Sequence, residues 1–439
     1  MKFRLSAVLT AIFILALGNG IIWAAAATVS SPITFVGTDD NIYYCKGNCS
    51  TSKCLTCPVR GLEVRAQGLI DAAFPVAGQG PAHYNWPTYS PDGTKLGYIS
   101  TRRDESGRPV FGVHVFDFKT KIATRIFESP GERPIYLFWL ADSRKLSFLL
   151  AGSQGLSLML AEVREGAPIR FVARGVPLYF DWNQARHKLL VHTNTADGAA
   201  PEQVYLMSLS DEGQAVDKVL SLGDAPFKVP AWSRDGKHMA YVARTGGRAK
   251  LYVADAEAGN PRAMVSLPDG ESSFVWAPDS RHIAYSTAPA DDVLTYDGIG
   301  MLDTASGTIK KLVKQQVAAF YFSPDSHHLA FIEIPAGRPY YSWNVVDLPS
   351  AKSRRLLEFF TTRDEALAYR YFDQLALSHR IWSPQSDALV FAGAVVGATG
   401  SMPQMVSPPP AIWVVPITKE RPRKIADGKL AFWSPVAGD

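Results

Sequence analysis

The sequence predicts an all-β fold, a single β-propeller of eight four-stranded blades with seven as the alternative, and three observations predict it. A five-residue motif, aromatic-Ser-Pro-Asp-Gly in its fullest form, recurs eight times at intervals of 43 to 60 residues. Each of the first seven copies is followed by a short apolar stretch. The eighth has none after it, while the region from residue 33 offers strand-like segments that no motif precedes.

The copies are Tyr89-Ser-Pro-Asp-Gly, Trp139-Leu-Ala-Asp-Ser, Trp182-Asn-Gln-Ala-Arg, Trp232-Ser-Arg-Asp-Gly, Trp276-Ala-Pro-Asp-Ser, Phe322-Ser-Pro-Asp-Ser, Trp382-Ser-Pro-Gln-Ser and Trp433-Ser-Pro. In one unit the aromatic ends a strand and fills the space between stacked sheets. Pro presets φ, Asp binds its own backbone, and Gly or Ser tolerates the close bend, so the motif reads as a tight turn. The next strand follows, as in Leu96-Gly-Tyr-Ile or Met239-Ala-Tyr-Val. A third strand is exemplified by Lys250-Leu-Tyr-Val-Ala-Asp and a fourth by Arg262-Ala-Met-Val. The Trp182 copy has lost Pro and Asp, and seven blades result if that segment is not a unit.

The last motif, Lys429-Leu-Ala-Phe-Trp433-Ser-Pro, is one strand. Ile33-Thr-Phe-Val and Asn41-Ile-Tyr-Tyr-Cys45 resemble the second and third strands of a unit. We therefore expect residues 33–60 and 429–435 to form one closing blade, with the N-terminal strands pairing with the C-terminal strand and no sheet edge left open at the seam.

These repeats resemble the TolB-type, WD40-like propellers, whose unit carries Trp-Ser-Pro-Asp-Gly, an apolar strand and then an Ile-Tyr-Val strand; the propeller of dipeptidyl-peptidase IV carries related units. The resemblance covers nearly all of the chain from residue 33 onward. It implies the fold and an envelope setting. No stretch reads as the separate N-terminal α/β domain of TolB itself, and none as the hydrolase domain of the peptidases, so a Tol-system role and peptidase chemistry are not implied.

Residues 1–27 read as a signal peptide or an N-terminal membrane anchor. Lys2 and Arg4 precede an uncharged run from Leu5 to Val29, broken by Gly18-Asn-Gly, and Ala24-Ala-Ala supplies small residues for cleavage. Either way residues 31–439 are expected outside the cytoplasm: periplasmic, secreted, or anchored facing outward. The membrane is then a partner only through an uncleaved N-terminal segment. The net charge of +4 over 439 residues, with no basic stripe interleaved with aromatics, implies no nucleic-acid partner.

The four cysteines, Cys45, Cys49, Cys54 and Cys57, lie together. An oxidising compartment and an even count favour disulfides, with three pairings open; a four-thiolate zinc site and a redox Cys-x-x-Cys are the competing readings. His238, His282 and His328 each fall six residues after a motif aromatic, where other units carry Lys95, Lys145 and Lys188. That equivalence marks a solvated repeat position, so no metal and no cofactor are expected.

The longest interval, 60 residues, holds Thr361-Thr-Arg-Asp-Glu-Ala-Leu-Ala-Tyr-Arg-Tyr-Phe-Asp-Gln, which reads as an inserted short helix with Thr362 as cap and Glu365 three residues on. His379 and Arg380 precede Trp382 and are expected on an innermost strand facing the channel. Tyr371, Asp373, His379 and Arg380 are the candidate ligand patch; the competing view is a salt-bridged corner that merely fixes the insertion. The segment 395–410 reads as a surface loop, and 290–298 as an acidic loop without the spacing of a calcium site.

No Gly-x-Ser-x-Gly elbow, His-Glu-x-x-His or phosphate loop occurs. The expected function is a non-enzymatic module that binds or scaffolds an envelope protein or ligand. The alternative is a channel-based glycan lyase or hydrolase, in which replacing His379 or Arg380 abolishes turnover.

Overall fold

The computed structural model describes residues 31–46, 49–57, 82–183, 187–194, 202–210, 213–222, 226–289, 295–397 and 409–436. The N-terminal segment 1–27 lies outside these, as do most of the 395–410 loop and the 290–294 part of the acidic loop.

The described residues form antiparallel sheets and two short helices. Segments 83–129, 133–175, 178–222 and 231–266 each fold into a four-stranded sheet with strands in sequence order. A fifth sheet of ten strands covers 272–427. It is three units run together by two long strands. Ile309–Phe322 pairs with Tyr296–Asp303 through its first part and with His328–Glu333 through its last, with a register shift between Val317 and Ala319. Lys352–Thr361 pairs with Tyr341–Asp347, and its last three residues pair with Gly393 to Val395. The Trp182 segment is a full unit despite its lost motif: Trp182 sits opposite Leu189 in the pair Leu178–Asn183 and Lys188–Thr193.

The sixth sheet joins the two ends of the chain. Its order is Ser52–Cys54, Ile42–Cys45, Ile33–Val36, Leu430–Trp433. Ile33 faces Trp433 and Val36 faces Leu430, so the C-terminal strand is the inner strand of a sheet whose other strands are N-terminal. Disulfides link Cys45 to Cys49 and Cys54 to Cys57. The first ties the end of the second strand to the following loop, and the second fastens the outer strand to the chain just after it.

The repeat motif does three jobs. Its aromatic is buried in every copy, with Trp139, Trp182, Trp232, Trp276, Trp382 and Trp433 all under 8 % exposed. Burying a ring of this size contributes on the order of 3 kcal/mol. The indole N–H then stitches one unit to the one before. Trp139, Trp232, Trp276 and Trp382 donate to the carbonyls of Thr88, Asp181, Ala231 and Tyr321 at 2.9 to 3.2 Å. Each acceptor is the residue just before an inner-strand aromatic of the preceding unit.

Its serine organises the turn. Ser90, Ser233 and Ser323 donate to Asp92, Asp235 and Asp325, and accept the N–H five residues on at 2.9 Å. Where Gln385 replaces Asp, Ser383 donates to Asp387 instead.

The fifth position is left-handed in six of the turns: Gly93, Ser143, Gly236, Ser280, Ser326 and Ser386 have φ between 53° and 70°, and in the degenerate copy His187, one place later, is left-handed at 53°. Serine is strained there by about 1 kcal/mol. The hydroxyls of Ser143, Ser280 and Ser386 offset this by accepting the N–H of Asp92, Asp235 and Asp325 from the turn of the preceding unit.

Candidate functional site

The 60-residue interval inserts a helical segment where the other units place an inner strand. Helix α1, Arg363–Arg370, starts at Thr362, whose hydroxyl oxygen accepts the Glu365 N–H at 3.0 Å. Glu365 does not return to the cap. Its Oε1 accepts the Ala392 N–H at 2.8 Å, and the Thr362 hydroxyl donates to the Lys429 carbonyl at 2.7 Å. Helix α2 is one turn, Phe372–Leu375. The chain then turns through Ser378 and His379 with no strand, and Trp382 makes a single bridge to Leu389. The expectation that His379 and Arg380 lie on an inner strand is therefore corrected. Bonds from Ser378 N–H and His379 N–H to the Leu375 carbonyl hold this stretch in turn conformation.

This segment packs against inner strands of five of the six sheets. Gln374 bonds both backbone groups of Phe180. The Tyr136 hydroxyl donates to the Gln374 carbonyl at 2.8 Å. The Ser273 hydroxyl donates to Asp373 Oδ2 at 2.8 Å. Phe372 packs on Phe320 with centroids 4.6 Å apart, and His379 on Phe432 at 4.6 Å.

His379 is 2 % exposed. Its Nε2 lies 3.0 Å from the Thr88 hydroxyl. Nδ1 lies 2.8 Å from the Ser378 hydroxyl, so one ring nitrogen donates and the other accepts. Burial pulls the ring's pKa down to about 3, so the imidazole is neutral and acts as a hub between elements.

Tyr371 and Asp373 belong to a different cluster, around Lys228. That ammonium is 2.8 Å from Glu271 and donates to the Tyr296 hydroxyl at 2.9 Å and the Arg370 carbonyl at 3.3 Å. It lies 6.0 Å from the centre of the Tyr371 ring. Burial opposes its charge, but Asp373, Tyr296 and Glu271 together raise its pKa. Burial raises that of Asp373 against the pull of Lys228.

Arg380 faces the end of the inner strands where the motif turns lie. Two adjoining cavities of about 310 and 200 Å³ open there. Trp232, Arg234, Leu377 and Arg380 form the wall that they share. Neither guanidinium has a hydrogen-bond or ion-pair partner among the described residues. Burial, and then the charge of Arg234, lower the pKa of Arg380 to about 10. Asp181 lines the larger cavity; its Oδ2 accepts the Trp232 N–H at 2.8 Å, and burial pushes its pKa up to about 7. At the other end a wider cleft of about 960 Å³ is lined by Trp86, Arg133, Arg363, Leu367 and Arg370. Among the described residues no three His, Cys, Asp or Glu side chains gather as metal ligands.

The four candidate residues thus occupy three places along the segment: Tyr371 and Asp373 beside Lys228, His379 in the packed centre, and Arg380 at the turn-side mouth. Sequence reasoning missed Lys228, Asp181 and Arg234. A signal for Arg234 exists, because it stands at the proline position of its motif, where Pro91, Pro278, Pro324 and Pro384 stand in other copies.

Glu365 carries a testable electrostatic consequence. It is 1 % exposed, Oε2 has no hydrogen-bond partner, and burial pushes its pKa up to about 8. An unfolded Glu titrates near 4.3. Its contribution to stability is fully present below that value and is lost as pH rises through about 8. His379 works oppositely, costing stability as pH falls below about 6.5, and Asp181, raised to about 7, titrates above it in both proteins, so Glu365 is read from the difference between them. Between pH 6.5 and 9 the melting temperature of the protein should fall by several degrees relative to Glu365→Gln. Parallel profiles for the two proteins would contradict a neutral buried carboxyl.

No protein-family model matches the chain. The Tol-Pal system protein TolB of Methylobacillus flagellatus is 45% identical over 47 residues, 11% of each chain. That of Francisella tularensis subsp. holarctica is 26% identical over 111 residues, 25% of each chain. The chain thus matches no more than a quarter of the length of these curated relatives. Among solved structures, dihydro-heme d1 dehydrogenase NirN superposes with a TM-score of 0.52 at 13% identity, covering 93% of this chain and 76% of that one, a likeness of fold alone. Taken with the repeating sheets and turns described above, these matches support a TolB-like β-propeller.

Proposed function

We propose that the chain is an eight-bladed propeller, closed at the 33–54 and 430–433 sheet, which works outside the cytoplasm as a docking module for a cell-envelope protein. The observation that carries this reading is the filled centre. Segment 363–381 packs buried side chains against inner strands of five of the six sheets, so the surfaces left for binding are the concavities at its two ends. The paired cysteines fit an oxidising compartment. The relatives' printed name, Tol-Pal system protein, supports a protein partner.

Photo-crosslinking in cells tests it, with p-benzoylphenylalanine at Leu377 in the mouth and, separately, at Leu367 in the opposite cleft. The expected result is one discrete envelope-protein adduct from one of the two positions. Failure at both, together with release of unsaturated sugars from an acidic glycan at a rate that falls in Arg380→Ala, would replace this reading with the lyase alternative.

A further inference from the structure

We infer that the turn-side mouth is a subsite for a carboxylate carried next to an apolar or aromatic group, gripped by Arg234 and Arg380. The inference deepens the docking reading by naming what the mouth takes. Arg380 is largely withdrawn from water at the end of the helical segment, and Arg234 reaches the same wall from the motif turn of a neighbouring sheet. Two like charges share one concavity, Arg234 exposed and Arg380 half-buried, and neither guanidinium is hydrogen-bonded or ion-paired among the described residues; Asp181, on the same lining, is the nearby carboxylate. Folding gains nothing from two unpaired like charges held on one wall, the half-buried Arg380 least of all. Asp181 balances at most one charge, and its carboxylate is already held by the Trp232 N–H and raised toward neutrality by burial. The mouth is therefore cationic and lacks one anion.

The remaining walls select among anions. Trp232, Trp276, Phe322 and Leu377 are apolar, and the polar groups nearby are already bonded: Asn183 donates to the Gly236 carbonyl, and Ser233 donates to Asp235. A sugar acid needs partners for many hydroxyls, and this lining offers few. A carboxylate suits the planar guanidinium geometry, and a cavity of about 310 Å³ beside it holds a side chain of aromatic size. Two sources carry this chemistry: a peptide, through its C-terminus or an acidic residue beside an aromatic one, and a free small aromatic acid.

Tryptophan emission of the full chain reports the site, because Trp232, Trp276 and Trp382 line it. N-acetyl-L-phenylalanine should give a saturable change at millimolar concentration, and N-acetyl-L-phenylalaninamide none. Arg234→Ala and Arg380→Ala should each weaken the acid at least about tenfold, while Arg363→Ala at the other end leaves it unchanged. The peptide acetyl-Gly-Gly-Gly-Phe binding at least about tenfold tighter than the free acid assigns the site to a peptide, and equal affinities assign it to a small acid. Equal response to acid and amide, no response to either, or response only to tri-galacturonate would overturn the inference.

A second readout separates a binding role from a structural one. Arg380→Met removes a desolvated, repelled charge and should raise the melting temperature. A fall of several degrees would make Arg380 a structural residue and defeat the proposal. If the acid fails to bind while crosslinking still finds an envelope protein, the docking reading survives and only this subsite is lost.

Discussion

Truncation after Ala426 should abolish cooperative folding of the monomer. The removed strand, Leu430–Trp433, has Leu430 and Ala431 at 0 % exposure and Phe432 and Trp433 at 2 %. Burial of the three large side chains contributes on the order of 6 kcal/mol, comparable with the whole stability of an ordinary domain. The loss is not confined to apolar area. The Trp433 N–H donates to the Arg380 carbonyl and the Lys429 carbonyl accepts from Thr362, so the central segment loses an anchor at both ends. Strand Ile33–Val36 would be left with an open edge. Size-exclusion chromatography should show association, and thermal unfolding a broad transition at least about 10 °C lower. A truncated chain that stays monomeric and equally heat-stable would contradict a structural role for the seam.

Lys228→Met should be the most damaging single substitution away from the seam, lowering stability by about 4 kcal/mol. It keeps most of the length of the side chain and removes its charge. Glu271 and Asp373 would then face each other across a buried site with no cation, and the Tyr296 hydroxyl would lose a donor. Urea unfolding of the single variant, of Asp373→Asn and of the pair completes a double-mutant cycle. The pair should be less damaged than the sum of the singles, because an uncharged amide in place of the Asp373 carboxylate needs no counter-charge. Strict additivity would mean that Lys228 and Asp373 do not act on each other.

The fold was legible because a propeller writes its period into the chain. The aromatic at the end of each inner strand and the left-handed residue after each turn are local requirements, repeated where each unit repeats them. Even the damaged Trp182 copy keeps the aromatic and the following Leu189-Leu-Val, and the strands form around it. The pairing of the two ends was legible for a related reason: a lone strand at one end can pair with the strands at the other.

The site was less legible because it is made by departures from the period. The helix cap at Thr362 is a local signal and forms as expected. The path after it is not local. Whether residues 376–381 continue as a strand depends on whether the centre of the molecule has room for one, and Phe372, Gln374 and His379 have already filled it. His379 looked like a channel-facing group for the same reason: its neutral, doubly bonded state depends on Thr88, 291 residues away in the sequence. Lys228 gave no signal, since a single lysine outside the motif has nothing to compare it with.

The two long strands within the ten-stranded sheet limit how this molecule can diversify. Elsewhere the passage from the outer edge of one unit to the inner edge of the next is a loop, and a loop accepts insertions at little cost. At Ile309–Phe322 that passage is continuous β-structure, paired on one side before Val317 and on the other after it. An insertion there would shift the register of both neighbours at once. New recognition surface has to be built at the remaining connections, and the 60-residue interval is where this chain has added the most.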